Sequence, residues 1–196
     1  MARLSARYMV KMYEEVISFD LSATEPPISV IIPYCPPYPF YPLSVCKNDE
    51  VLIVEGGESI GDARIKAAEE AKFDWLVFLD ADAVYPHDFI LQVKRYINQT
   101  EYPILGATRT GGFGNLFWNV LESGLIVRKD IFLAITEKYV ATDRRSDVAD
   151  FFVTDVERIP VEYYHDFTHG ESTGLSLLLT LGAIATLLWL SYKNMK

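Results

Sequence analysis

Three stretches of the chain are apolar almost without interruption: I-S-V-I-I-P-Y (residues 28–34), V-L-I-V-E-G-G (51–57) and F-D-W-L-V-F-L-D (73–80). A strand with one wet face alternates apolar and polar residues, so a run without alternation must be covered on both faces. The second and third runs are separated by S-I-G-D-A-R-I-K-A-A-E-E-A-K, whose Ala, Glu and Lys content favours helix. Ser59 is placed to cap that helix, with Asp62 three residues on. After the third run, Phe89, Val93 and Ile97 recur at helical spacing. Y-P-I-L-G-A-T-R-T reads as a fourth strand, G-G-F-G-N as a glycine-rich loop, and E-S-G-L-I-V-R-K-D-I-F-L-A-I-T-E-K-Y as a strand running into a helix. D-F-F-V-T-D-V and I-P-V-E-Y-Y are strand-like. Strands alternating with helices, the strands apolar throughout, predict an α/β domain around a largely parallel sheet.

Two segments flank this pattern. In residues 1–27 the apolar positions Leu4, Tyr8, Val10, Met12 and Val16 predict a peripheral amphipathic helix, followed by the linker T-E-P-P. Charges throughout and no apolar core to the segment argue against a signal peptide. Residues 172–192, S-T-G-L-S-L-L-L-T-L-G-A-I-A-T-L-L-W-L-S-Y, carry no charge. As a helix they would be about 31 Å long, close to the hydrocarbon thickness of a bilayer. Trp189, Tyr192, Lys193 and Lys196 stand where interfacial anchors would. The alternative is a buried C-terminal helix, but leucine on every face is hard to bury at the edge of so small a domain. The expected organisation is a helix and linker (1–27), an α/β domain (28–171) and a C-terminal apolar helix acting as membrane anchor (172–196).

The 196 residues carry a net charge of −9, without the basic footprint of a nucleic-acid binder. An acidic protein that handles a phosphorylated ligand needs a cation or local basic groups to offset repulsion. Cys35 and Cys46 make neither a metal-ligand spacing nor a disulfide framework.

The third apolar run stops in D-A-D, residues 80–82. In open α/β sheets ligands sit beyond the carboxyl ends of the strands. Two acids at i and i+2 in such a turn can face one hard cation, Mn2+ or Mg2+. F-L-D-A-D-A-V also fits the string of haloacid dehalogenase-like phosphohydrolases, where Asp80 would be a nucleophile and Asp82 a general acid. That motif normally opens its domain, whereas about 77 residues with two core strands precede it here.

The surrounding motifs resemble family 2 glycosyltransferases of the GT-A fold. I-S-V-I-I-P-Y is similar to that family's opening strand. V-L-I-V-E-G-G-E-S is similar to its second strand, and G-D-A-R-I-K-A-A-E-E-A-K-F-D-W-L-V-F-L-D-A-D-A to its G-x-A-R-N, helix, strand and D-A-D. Ile65 departs from the usual Asn, and a proline loop, C-P-P-Y-P-F-Y-P, replaces the usual first helix. So reduced a version of the fold is also similar to the small glycosyltransferases of archaeal viruses. The resemblance implies a GT-A αβα sandwich and transfer of a sugar from a UDP- or GDP-sugar to a hydroxyl of a glycan, protein or lipid. A non-catalytic membrane-bound scaffold of the same fold is the remaining alternative.

By that resemblance Asp82 contacts the metal, and Asp80 the ribose or a metal-bound water. Pro33, Cys35 and Glu55 belong to the nucleotide pocket. Arg64 meets the diphosphate or pairs with Asp62 or Asp80. The resemblance puts the catalytic base of an inverting transfer in S-D-V-A-D-F-F: Asp150 first, then Asp147, three apart and so on one face of a helix. His165 and His169, after the last strand-like run, are candidate extra metal ligands, while His87 is read as structural. Phe117 or Trp118 is a candidate sugar-stacking residue, and Glu122 a donor-sugar contact. The catalytic part is expected to face the cytoplasm, where sugar nucleotides are made.

Overall fold

The computed structural model describes residues 16–22, 24–37, 39–110, 123–140 and 156–165, all within the unit Met1–His165. In chain order the elements are β1 (Ile17–Leu21), β2 (Ser29–Tyr34), β3 (Leu43–Cys46), β4 (Glu50–Glu55), α1 (Ile60–Glu70) and β5 (Trp75–Phe78). They continue with α2 (Phe89–Ile97), β6 (Ile104–Thr110), β7 (Leu125–Arg128), α3 (Lys129–Thr136) and β8 (Glu157–Tyr164). Six strands form one sheet in the order β4-β2-β5-β7-β6-β8. Within it β2 is parallel to β4 and β5, and β6 is parallel to β8, while β7 runs against both its neighbours. The mainly parallel sheet expected from the apolar runs is present, with a single reversed strand in it.

Successive residues of the strands feed two separate cores, which is why the runs do not alternate. Val30, Ile32, Val51, Ile53, Val77 and Ile126 pack on one face, with Phe89, Ile90, Val93 and Ile97 of α2 and with Ile17, Leu43, Val45 and Cys46. Ile31, Leu52, Leu76, Phe78, Leu125 and Val127 pack on the other, with Ala67, Ala68 and Ala71 at α1 and Phe132 of α3. The sheet is thus covered on both sides, the αβα layering that the resemblance implies. Ser59 caps α1 as expected, its hydroxyl accepting the Asp62 N–H at 3.1 Å.

Two differences stand out near the amino end. Residues 17–21, the end of the predicted amphipathic segment, form a strand that pairs in parallel with β3 in a separate two-stranded sheet. The strand β3 itself follows the proline loop, in L-S-V-C, where four residues are too few to show a period. Residues 1–15 lie outside the described residues. So do residues 172–196; among the described residues no helix is long and apolar enough to cross a membrane.

At the sheet edge β8 slips against β6 between Gly106 and Thr108, which face Arg158 and Glu162. Pro160 lies in the looped stretch and has no N–H to give to the ladder. The slip sets Arg109 opposite Tyr163 and Thr110 opposite Tyr164. The alternation along β8 buries Ile159, Val161 and Tyr163, and His165 is next in that series.

Candidate active site

β5 ends at Phe78, Leu79 is buried, and the D-A-D turn opens directly beyond. Its geometry is fixed from below. The Asp80 N–H donates to Tyr85 Oη at 2.9 Å and to Ser123 Oγ at 3.2 Å. The Tyr85 and Ser123 hydroxyls are 2.6 Å apart, and Tyr163 Oη donates to the Ser123 carbonyl. The ring of Tyr85 stacks on that of Tyr163, centroids 5.5 Å apart. Next to Ser123, the Gly124 N–H donates to the Phe78 carbonyl at 2.8 Å. Gly124 has φ +82°, and a Cβ there would stand 2.8 Å from Tyr163 Cε1 and 3.0 Å from the Ala107 Cβ, so only glycine fits.

His165 reaches the same turn from β8. Val84 and Tyr164 exchange backbone hydrogen bonds of 2.7 and 2.9 Å, an antiparallel bridge that ties the turn to the end of β8. His165 Nε2 then lies 3.2 Å from Asp82 Oδ1, and Nδ1 lies 3.8 Å from Asp80 Oδ2. Ligand atoms of Asp80, Asp82 and His165 all fall within 4.8 Å of one another. These are three of the four residues that the sequence puts forward as metal ligands; His169 lies outside the described residues.

The guanidinium of Arg64, 1 % exposed, donates to Asp80 Oδ1 at 3.0 Å. The ion pair with Asp80, one of the readings open for Arg64, is formed. Burial, and then the nearby Asp80 carboxylate, push the phenols of Tyr85 and Tyr163 above their usual range, so both stay protonated. The Nδ1 of His165 is buried and has no hydrogen-bond partner among the described residues, a state that costs free energy unless something fills it. Two carboxylates and an imidazole around one point suit a hard or borderline divalent ion such as Mn2+ or Mg2+. The donor set fits the metal implied by the sequence.

The nucleotide-side residues occupy the same end of the sheet. Pro33 lies inside β2, paired with Val54, and does not end the strand; Tyr34 follows it, opposite Glu55. Glu55 closes β4 and is exposed, and Cys35 is exposed just past β2. Pro33 is tolerated there because β5 pairs with β2 only as far as Ile31, so the missing N–H of Pro33 falls on the side where the ladder has already ended. His87 is in the turn before α2, not on the helix, and shares a 2.8 Å hydrogen bond with Ser44, consistent with a structural part. Asp147, Asp150, Phe117, Trp118 and Glu122 lie outside the described residues.

Sequence reasoning missed Tyr85, Ser123, Tyr163 and Arg109. The first two sit in loops without periodic signal. Tyr163 was visible only as one aromatic of a strand, and Arg109 as a charge within T-R-T.

The sequence profile described as "Glycosyl transferase family 2" matches residues 45–155, more than half of the chain and including both acids of D-A-D. Among curated proteins no sequence matches. Among solved structures the chain is similar to S. aureus TarS 1–349 in complex with UDP-GlcNAc, with TM-score 0.52, 14% identity, and 74% of this chain and 60% of that chain covered. It is also similar to TarS 1–349 in complex with UDP, with TM-score 0.50, 15% identity and 72% and 60% covered. At such identity the likeness speaks for the fold, and the chain spans about 60% of the TarS fragment's length. The profile match leaves no place for the phosphohydrolase reading of F-L-D-A-D-A. The chain belongs to glycosyl transferase family 2.

Proposed function

We propose that the chain moves a sugar from a nucleoside-diphosphate donor, a UDP- or GDP-sugar, to a hydroxyl of a glycan, protein or lipid acceptor. The observation that carries this reading is the meeting of Asp80, Asp82 and His165 at the carboxyl end of β5 in a family 2 chain. The TarS structures of the same fold are complexes with UDP-GlcNAc and UDP, which favours a uridine donor.

In this reading Asp82, Asp80 and His165 hold Mn2+ or Mg2+. The ion would offset the charge that develops on the diphosphate as the glycosidic bond breaks. Arg64 holds Asp80 in place through the 3.0 Å ion pair. Glu55 offers a carboxylate to N–H groups of the base, beside Pro33 and Cys35. The reaction is inverting: an aspartate of S-D-V-A-D-F-F, Asp150 or else Asp147, takes the proton of the acceptor hydroxyl as its oxygen attacks the anomeric carbon. Residues 172–192 tether the catalytic part to a membrane, on its cytoplasmic side.

The test is a thermal shift of the full chain against UDP, GDP and CMP, each with and without Mn2+. A shift with a nucleoside diphosphate that appears only with Mn2+, and is lost in Asp82→Ala, is the expected result. No shift under any condition would sink the reading. The tether is checked by fractionation: deleting residues 172–196 should move the protein from the membrane pellet to the supernatant.

A further inference from the structure

His165 follows the last residue of β8, and its ring stands 3.2 Å from Asp82. A side chain just past a strand end ordinarily frays with the backbone that carries it. Here the backbone is held at both of its polar groups. The His165 N–H donates to the Thr110 carbonyl at 3.1 Å. Its carbonyl accepts two bonds from one side chain, the Arg109 Nε–H at 3.2 Å and Nη2–H at 2.9 Å. A planar guanidinium that gives two N–H groups to one oxygen fixes direction as well as distance, which lysine with its single point charge does not.

Arg109 is only 4 % exposed, and arginine is seldom buried to that degree. It can take this place because the slip between β6 and β8 sets it opposite Tyr163, two residues before His165. The two halves of the site, tied together by the Val84–Tyr164 bridge, each have a further support of their own. Tyr85 and Ser123 fix the D-A-D turn through the Asp80 N–H, and Arg109 fixes the segment that brings the histidine.

We propose that Arg109 is a positioning residue: by clamping the His165 carbonyl it holds the imidazole against Asp80 and Asp82, and so sets the affinity of this site for a divalent cation. This rests on the metal-binding reading above. Groups that orient a metal ligand typically account for a 10–100-fold effect on affinity.

The experiment measures binding of Mn2+ alone to the full chain, by calorimetry or by the electron paramagnetic resonance signal of free Mn2+. Arg109→Met should weaken binding about tenfold or more, and Arg109→Lys, which keeps one donor, should fall between it and the parent. At saturating Mn2+ turnover of Arg109→Met should recover, a separation that a merely structural residue would not produce. Asp82→Asn and His165→Ala are measured alongside. If these two lose Mn2+ while both Arg109 variants bind it like the parent, the positioning role is wrong and the metal reading stands. If Asp82→Asn and His165→Ala bind Mn2+ like the parent, the metal reading is wrong and the role of Arg109 falls with it. Should Arg109→Met fail to fold, Arg109→Lys decides alone, and unchanged affinity overturns the proposal.

Discussion

The hydroxyl of Tyr85 lies 2.9 Å from the backbone nitrogen of Asp80, five residues earlier in the chain. The loop after D-A-D therefore folds back and closes the turn from beneath. Tyr85→Phe leaves the Asp80 N–H with only the longer contact to Ser123, and leaves Ser123 without its 2.6 Å neighbour. We expect a loss of about 1–2 kcal/mol in stability and about a tenfold fall in kcat/KM, since small misplacements of reacting groups are costly. Urea melts and steady-state kinetics test both; an unchanged variant would show that the phenol does not support the turn.

Lys94 and Asp49 form a fully buried ion pair, Nζ to Oδ1 2.6 Å, at the opposite end of the sheet from D-A-D. The Asp49 carboxylate also accepts the N–H groups of Ile28 (3.2 Å) and Cys46 (3.0 Å), so it joins β2, β3 and α2. Lys94→Met should cost about 3–5 kcal/mol, because it strands a buried charge. Adding Asp49→Leu should not restore stability, since two backbone donors would then lose their acceptor. Denaturant midpoints of the single and double variants decide this, and full recovery in the double variant would contradict it.

The two cysteines should differ sharply in reactivity. Cys35 is exposed and Cys46 is buried, both as free thiols. Burial, and then the charge of Asp49, push the Cys46 thiol up to about 11, so it stays protonated at pH 8. A disulfide-exchange reagent at pH 8 should titrate one thiol in the native protein and two in guanidinium. Two fast thiols in the native state would refute the assignment.

Glu50 gives the fold part of its acid sensitivity. Burial alone would raise its carboxyl, but hydrogen bonds from the Lys72 N–H and the Ser29 hydroxyl, both 2.8 Å, together with the Lys72 ammonium, outweigh it and hold it below the usual 4.5. A carboxyl lowered by folding stabilises above its unfolded value and loses that contribution as pH falls through the folded one. Stability should thus be flat in this respect from pH 7 to about 5 and decline below 4.5, and Glu50→Gln should flatten the decline while lowering the plateau. Urea midpoints across pH 3–7 measure it; parallel curves for the two proteins would speak against Glu50.

The central sheet was legible because a strand buried on both faces leaves an unmistakable apolar run, as at Val30–Ile32 and Leu76–Phe78. The capped helix after Ser59 was legible for an equally local reason. The small sheet was not: residues 17–21 pair with 43–46 through partners that no local pattern announces. In the site, Asp80 and Asp82 were marked by the strand they terminate, and His165 by its place after the last strand. What holds them was hidden, because the supports are contacts across long sequence separations: Ser123 to Asp80, Arg109 to His165. Such contacts follow from register, and the register of β8 depends on a slip at Pro160 that composition does not reveal.

The bridge between Val84 and Tyr164 joins a turn to a strand end 80 residues further along. During synthesis the two aspartates leave the ribosome long before the histidine that faces them. A nascent chain with its first five strands in place still lacks the histidine of the candidate site. On the metal-binding reading, competence to capture an ion would arrive at a single late moment, when the edge strand docks, and an ion bound then would favour the finished fold over every earlier intermediate.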